Sequence, residues 1–164
     1  MTATDYVISA ALVLLVIPQI RGTRLTVLNL LIPLALVAAA AAYYLKGIPT
    51  QGNDVQLDLV TVAAGAVIGV GCALSTRLQR GSTGEVIAKA GVLAAALWIV
   101  GMLVRAVFVY AVYHGYGAEI ADFSREQQIT GAEAWTAALV LMALAQVVAR
   151  LLVLRLRARQ VVAV

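Results

Sequence analysis

The sequence predicts an all-α integral membrane protein: a bundle of five transmembrane helices, N-terminus outside and C-terminus cytoplasmic. Three observations predict it. Apolar residues make up 63% of the 164-residue chain and charged residues 12%, whereas soluble domains run at roughly 45–50% and about 25%. Five apolar runs approach the ~20 residues a helix needs to cross a hydrocarbon core of about 30 Å. The basic residues gather in alternate connections between those runs. Such a composition excludes a soluble globular enzyme, which needs a polar surface. It also excludes disorder, which needs low hydrophobicity and high charge.

The first span runs from about Ala3 to Ile20. It lacks the basic leader of a secretory signal, carrying Asp5 instead, and no small-residue cleavage site precedes Arg21, so it reads as a retained helix. Pro18 helps to end it. The second span, Leu25 to Leu45, contains Pro33, where the missing amide predicts a kink. The third runs from Leu57 to Thr76, the fourth from Val86 to His114, and the fifth from Ala132 to Leu154. Unpaired backbone amides are too costly in lipid for anything but helices or a closed barrel, and no barrel-like alternation is present. Capping-box spacings at Asn53/Gln56, Ser82/Glu85 and Thr130/Glu133 mark three helix starts. The chain from residue 1 to 164 is thus one membrane domain.

Orientation follows from the basic residues. Arg21 and Arg24 follow span one, Arg77, Arg80 and Lys89 surround the third turn, and Arg150, Arg155, Arg157 and Arg159 end the chain. These nine of the twelve Lys and Arg fall on one side, opposed only by Glu85. The other side holds Lys46, Arg105 and Arg125 against Asp5, Asp54, Asp58, Glu119, Asp122, Glu126 and Glu133. The net charge of +4 is therefore topology, with attraction to anionic lipids. It is not the clustered footprint of a nucleic-acid binder, and no nucleic-acid partner is expected.

Gly65 and Gly69 form a GxxxG in the third span, and Cys72 continues the face. Small residues let helices approach closely in membranes. The face serves either a homo-oligomer or, as the preferred reading with five spans available, another helix of the same chain. Tyr43, Tyr44, Phe108, Tyr110, Tyr113, Tyr116 and Trp135 collect toward the outer boundary as an aromatic belt. Asn29 and Gln146 are mid-span polar residues suited to interhelical hydrogen bonds. The acidic segment from Gly115 to Ile129 reads as a solvated loop.

Ionisable groups inside spans are the first place to look for chemistry. Arg105 lies 16 residues after Lys89, about 24 Å along a helix, near the outer hydrocarbon boundary. It reads as a snorkelling side chain, as the partner of Asp58 or Glu133 in an ion pair, or as part of a substrate site with those acids. Both acids also suit helix N-termini. Cys72 is the single cysteine and His114 the single histidine. No dithiol and no all-protein metal site can be assembled from them, and no cofactor is expected. No nucleotide loop, GxSxG or HExxH is present.

Arg21 and Arg24 before Leu25 and Pro33, the glycine-rich third span ending in Ser75-Thr76-Arg77, Thr83-Gly84, Lys89, and Ala96-Leu97-Trp98 with Arg105 resemble the CcdC-like family of small bacterial membrane proteins. The resemblance runs from Arg21 to about Gly115 and departs at Thr83, where that family has an acid. It implies a multi-pass protein of the cell membrane, associated with cytochrome c biogenesis, and carries no catalytic residue onto this chain. The function expected is a non-catalytic accessory or assembly factor for a larger membrane system. The alternatives are an intramembrane enzyme cyclising a lipid or isoprenoid through Asp58 or Glu133, and a small oligomeric transporter or channel. Expected partners are the bilayer, other membrane proteins or a hydrophobic small molecule.

Overall fold

A computed structural model describes residues 23–24, 27–44, 49–81 and 86–162. The expected first span, with Asp5 and Pro18, and the Ser82/Glu85 capping pair lie outside the described residues. The described chain is mostly helical: β1 (Thr23–Arg24), α1 (Val27–Tyr44), α2 (Asp54–Leu74), β2 (Thr76–Arg80), β3 (Val86–Ala90), α3 (Val92–Tyr113), α4 (Gly117–Glu126) and α5 (Ala132–Val162). Among the described residues, three helices are long and apolar enough to cross a membrane: Asp54–Leu74, Val92–Tyr113 and Ala132–Gln160. Helix α1, 18 residues long, carries Asn29 near its start and is otherwise mostly apolar.

The helices carry their apolar surface outward. Val92 is 90% exposed, Val67 71% and Leu59 65%, an arrangement that water would penalise and hydrocarbon would not. The interior is built from small residues. Ala73, Ala134, Ala137 and Ala138 are buried almost completely, so packing rests on close backbone approach, as expected where lipid removes the hydrophobic drive between helices. A cluster of Val37, Cys72, Trp98 and Val147 joins α1, α2, α3 and α5.

The most extensive contact is between α2 and α5, which run parallel in constant register. A Cβ at Gly65 would collide with the backbone carbonyl of Met142, and one at Gly69 with that of Gln146. Both pairs are four residues apart, one turn on each helix, so the glycines of α2 seat successive turns of α5. The GxxxG face is therefore occupied by α5 of the same chain. Cys72 is buried on that side of α2, and its thiol donates to the Ala94 carbonyl of α3 at 3.5 Å.

Two expectations need correction. The chain is not purely α: β2 and β3 form an antiparallel hairpin, Thr76↔Ala90 to Arg80↔Val86, and β1 adds to β3 in the order β1-β3-β2. The fourth span accordingly starts at Val92, not Val86. Residues 86–90 are apolar enough to extend a hydropathy run, but Ala88 and Ala90 are buried while Lys89 is exposed, the two-residue period of a strand. Gly91, extended at ψ 172°, separates strand from helix. The segment after Gly115 is also more than a solvated loop. It forms α4, whose Phe123 lies 6.4 Å from the Trp135 ring centroid.

Candidate functional site

Two polar clusters sit among the apolar helices. The first is at the N-terminal end of α2. Asp54 is 1% exposed, and a carboxylate so buried needs donors. Thr130 supplies two: its amide donates to Oδ1 at 2.8 Å, and its hydroxyl donates to Oδ2. Asn53 adds its amide to the Gln128 carbonyl at 3.0 Å and its side-chain amide to the Gln127 carbonyl at 2.9 Å. Gly52, at φ 54°, lies against the same Gln128 carbonyl, where a Cβ has no room.

These bonds correct two capping boxes. Asn53 makes no side-chain cap on α2, and Thr130 spends its hydroxyl on Asp54. Both residues tie the α2 start to the α4–α5 connection. Trp135 extends the tie by donating from Nε1 to Ser124 Oγ at 2.9 Å, and its ring packs on Phe108 at 4.7 Å. Sequence reading placed Asp54 only among the outer acids, since nothing local announces a partner in Thr130.

The second cluster lies between α3 and α5. Trp98, Gly101 and Arg105 follow one another at helical spacing on α3, facing Gln146 and Arg150, one turn apart on α5. Arg105 Nη2 donates to Gln146 Oε1 at 3.2 Å. A Cβ at Gly101 would lie 2.7 Å from that same oxygen and 2.8 Å from Gln146 Nε2. The guanidinium of Arg150 lies 5.2 Å from the Trp98 ring centroid, a cation–π arrangement. Gln146 is 1% exposed. Its backbone meets Gly69 of α2 and its side chain meets α3, so three helices converge on it.

Arg105 bonds Gln146, and among the described residues no ion pair joins it to Asp58 or Glu133. A helical side chain points back toward the N-terminus of its helix, so Arg105 reaches toward the level of Gly101, where it meets Gln146. Glu133 is thirteen residues before Gln146, about 20 Å along α5, and is exposed in the first helical turn. Asp58 is buried one turn into α2. The three residues considered together as a catalytic set, Arg105, Asp58 and Glu133, are not assembled into one site.

Donors dominate the second cluster. Arg105 Nη1, Gln146 Nε2 and Trp98 Nε1 are all buried without a hydrogen-bond partner. A buried donor left unmet costs about 1–3 kcal/mol, more when charged, so three together are a large outlay for a small bundle. Sequence reading gave Gln146 only the ordinary role of an interhelical bond and gave Trp98 none beyond the resemblance. Their spacing to Gly101 and Arg105 was the available signal.

At the other end of the bundle, Arg157 of α5 caps α2. Its Nη1 donates to the carbonyls of Ala73, Leu74 at 3.3 Å and Thr76 at 2.9 Å, where a helix C-terminus favours a cation. Elsewhere, His114 stacks on Tyr110 at 3.8 Å. No group of three or more His, Cys, Asp or Glu suited to a metal occurs among the described residues. The chain matches no family model, no curated protein and no solved structure.

Proposed function

We propose that the protein is a five-span membrane protein, N-out and C-in, acting as a non-catalytic accessory or assembly factor for a larger membrane system. The observation that carries this reading is the chemistry of the buried cluster. It presents Arg105, Gln146 and Trp98 as donors, a set suited to holding a group and poor at moving protons. The outward apolar faces of α1 and α3 support it further, since they leave helix surface for lipid or for partner helices. The resemblance to the CcdC-like family is consistent with such a role in a bacterial cell membrane.

Acid-initiated cyclisation draws less support. Asp54 is saturated by Thr130 and Glu133 is exposed, which leaves Asp58 as the remaining buried carboxylate among the described residues. The test is extraction of the tagged chain from its native membrane in lipid discs, followed by quantitative mass spectrometry. A stoichiometric membrane complex, lost together with that complex's activity on deletion of this chain, is expected. Recovery of the chain alone under several extraction conditions would overturn the reading.

A further inference from the structure

We infer that the α3–α5 seam binds one anionic phospholipid, its phosphate held beside Arg105 and Gln146. The inference stands apart from the assembly role and concerns the isolated chain. Arg105 uses Nη2 on Gln146 Oε1. That single bond brings the two side chains together and leaves Arg105 Nη1 and Gln146 Nε2 as neighbouring donors, each buried and unmet. Trp98 Nε1, also unmet, belongs to a residue seven positions before Arg105, about 10 Å along the same helix, and lies outside the reach of a phosphate held there. Gln146 is 1% exposed and Trp98 7%, so neither donor is served by bulk water.

Convergent donors around a cation fit an oxyanion. A guanidinium bonds phosphate oxygens through its fork, and a primary amide adds a neutral N–H. Gly101 matters here because a side chain at that position would push the Gln146 amide aside. The surroundings choose the source of the oxyanion. Val100, Leu103 and Val104, beside Arg105 on α3, are each about half exposed, and they offer an apolar wall along which an acyl chain can lie. At Gly101, α3 meets the side chain of Gln146, whereas at Gly65 and Gly69, α2 meets the backbone of α5. A headgroup can therefore enter by side-chain rearrangement, with the helices kept in place.

The test is native mass spectrometry of the detergent-solubilised full chain, titrated separately with phosphatidylglycerol, phosphatidylcholine and inorganic phosphate. One phosphatidylglycerol per chain is expected to be retained. Arg105→Gln should weaken it about tenfold or more, as loss of a charge-assisted bond does. Gln146→Leu removes the neutral donor beside Arg105 and should weaken binding by a smaller factor, whereas Trp98→Phe, two turns away, should leave it unchanged. Arg155→Gln/Arg159→Gln, at exposed positions on the tail of α5, should leave the bound lipid in place. Equal retention of phosphatidylglycerol by Arg105→Gln and the parent would overturn the site, as would equal retention of phosphatidylcholine. Displacement of the lipid by inorganic phosphate at comparable concentration would overturn the lipid assignment in favour of a free oxyanion. If Arg105→Gln fails to fold, Gln146→Leu carries the same comparison.

Discussion

Asp54 and Thr130, 76 residues apart, share two hydrogen bonds that fasten the start of α2 to the start of α5. At the opposite end Arg157 of α5 grips the last two carbonyls of α2, Ala73 and Leu74, and that of Thr76 in β2. The two helices are thus pinned at both ends and seated by glycine between, which makes the α2–α5 pair the frame of the bundle.

The upper pin should be measurable by a double-mutant cycle. Asp54→Ala strands the Thr130 amide and hydroxyl, and a loss of about 1–3 kcal/mol is expected. Combining it with Thr130→Val should cost clearly less than the sum of the single changes, because the partners interact directly. Unfolding in detergent followed by tryptophan fluorescence reads both. Strict additivity would remove the pin.

Gly69→Ala places a methyl against the Gln146 carbonyl, a backbone atom that moves only with its helix. A loss of about 1–3 kcal/mol is expected, and Gly69→Leu should prevent close pairing. Ala64, exposed on the same helix, is the control, where Ala64→Leu should be nearly neutral in a lipid environment. A neutral Gly69→Leu would contradict the register.

Arg157→Ala should loosen the α2 terminus, lowering stability by about 1–2 kcal/mol, the scale of charge-assisted bonds at a helix end. Lysine at this position should recover part of it, since the charge remains and the fork is lost. Amide exchange at Ser75 and Thr76, faster in Arg157→Ala, is the local readout.

Asp58→Asn separates a structural carboxylate from a catalytic one. The proposed role predicts that the variant supports the host membrane system as the parent does. Complete loss of that function in a well-folded Asp58→Asn protein would favour acid catalysis.

Much of this was legible in advance. The helices α2, α3 and α5 coincide broadly with three of the apolar runs, because length and hydropathy are what a bilayer selects. Hydropathy could not see that residues 86–90 pair with 76–80, since a short apolar run serves strand and helix alike. Nor could it see α2 starting at Asp54, because that charge is tolerated only through a threonine remote in sequence. Arg105 was legible as a residue of interest. Its partner was not legible because charge pairing points to acids, while Gln146 supplies a neutral acceptor from the face that Gly101 leaves open.

The most direct test of the account is the side of the membrane on which each end of α5 lies. In a Cys72→Ser background, Gln127→Cys and Gln160→Cys would be probed in intact cells with a membrane-impermeant maleimide. The account predicts labelling at 127 without permeabilisation and at 160 only after it. The reverse pattern, or labelling of both from outside, would contradict it.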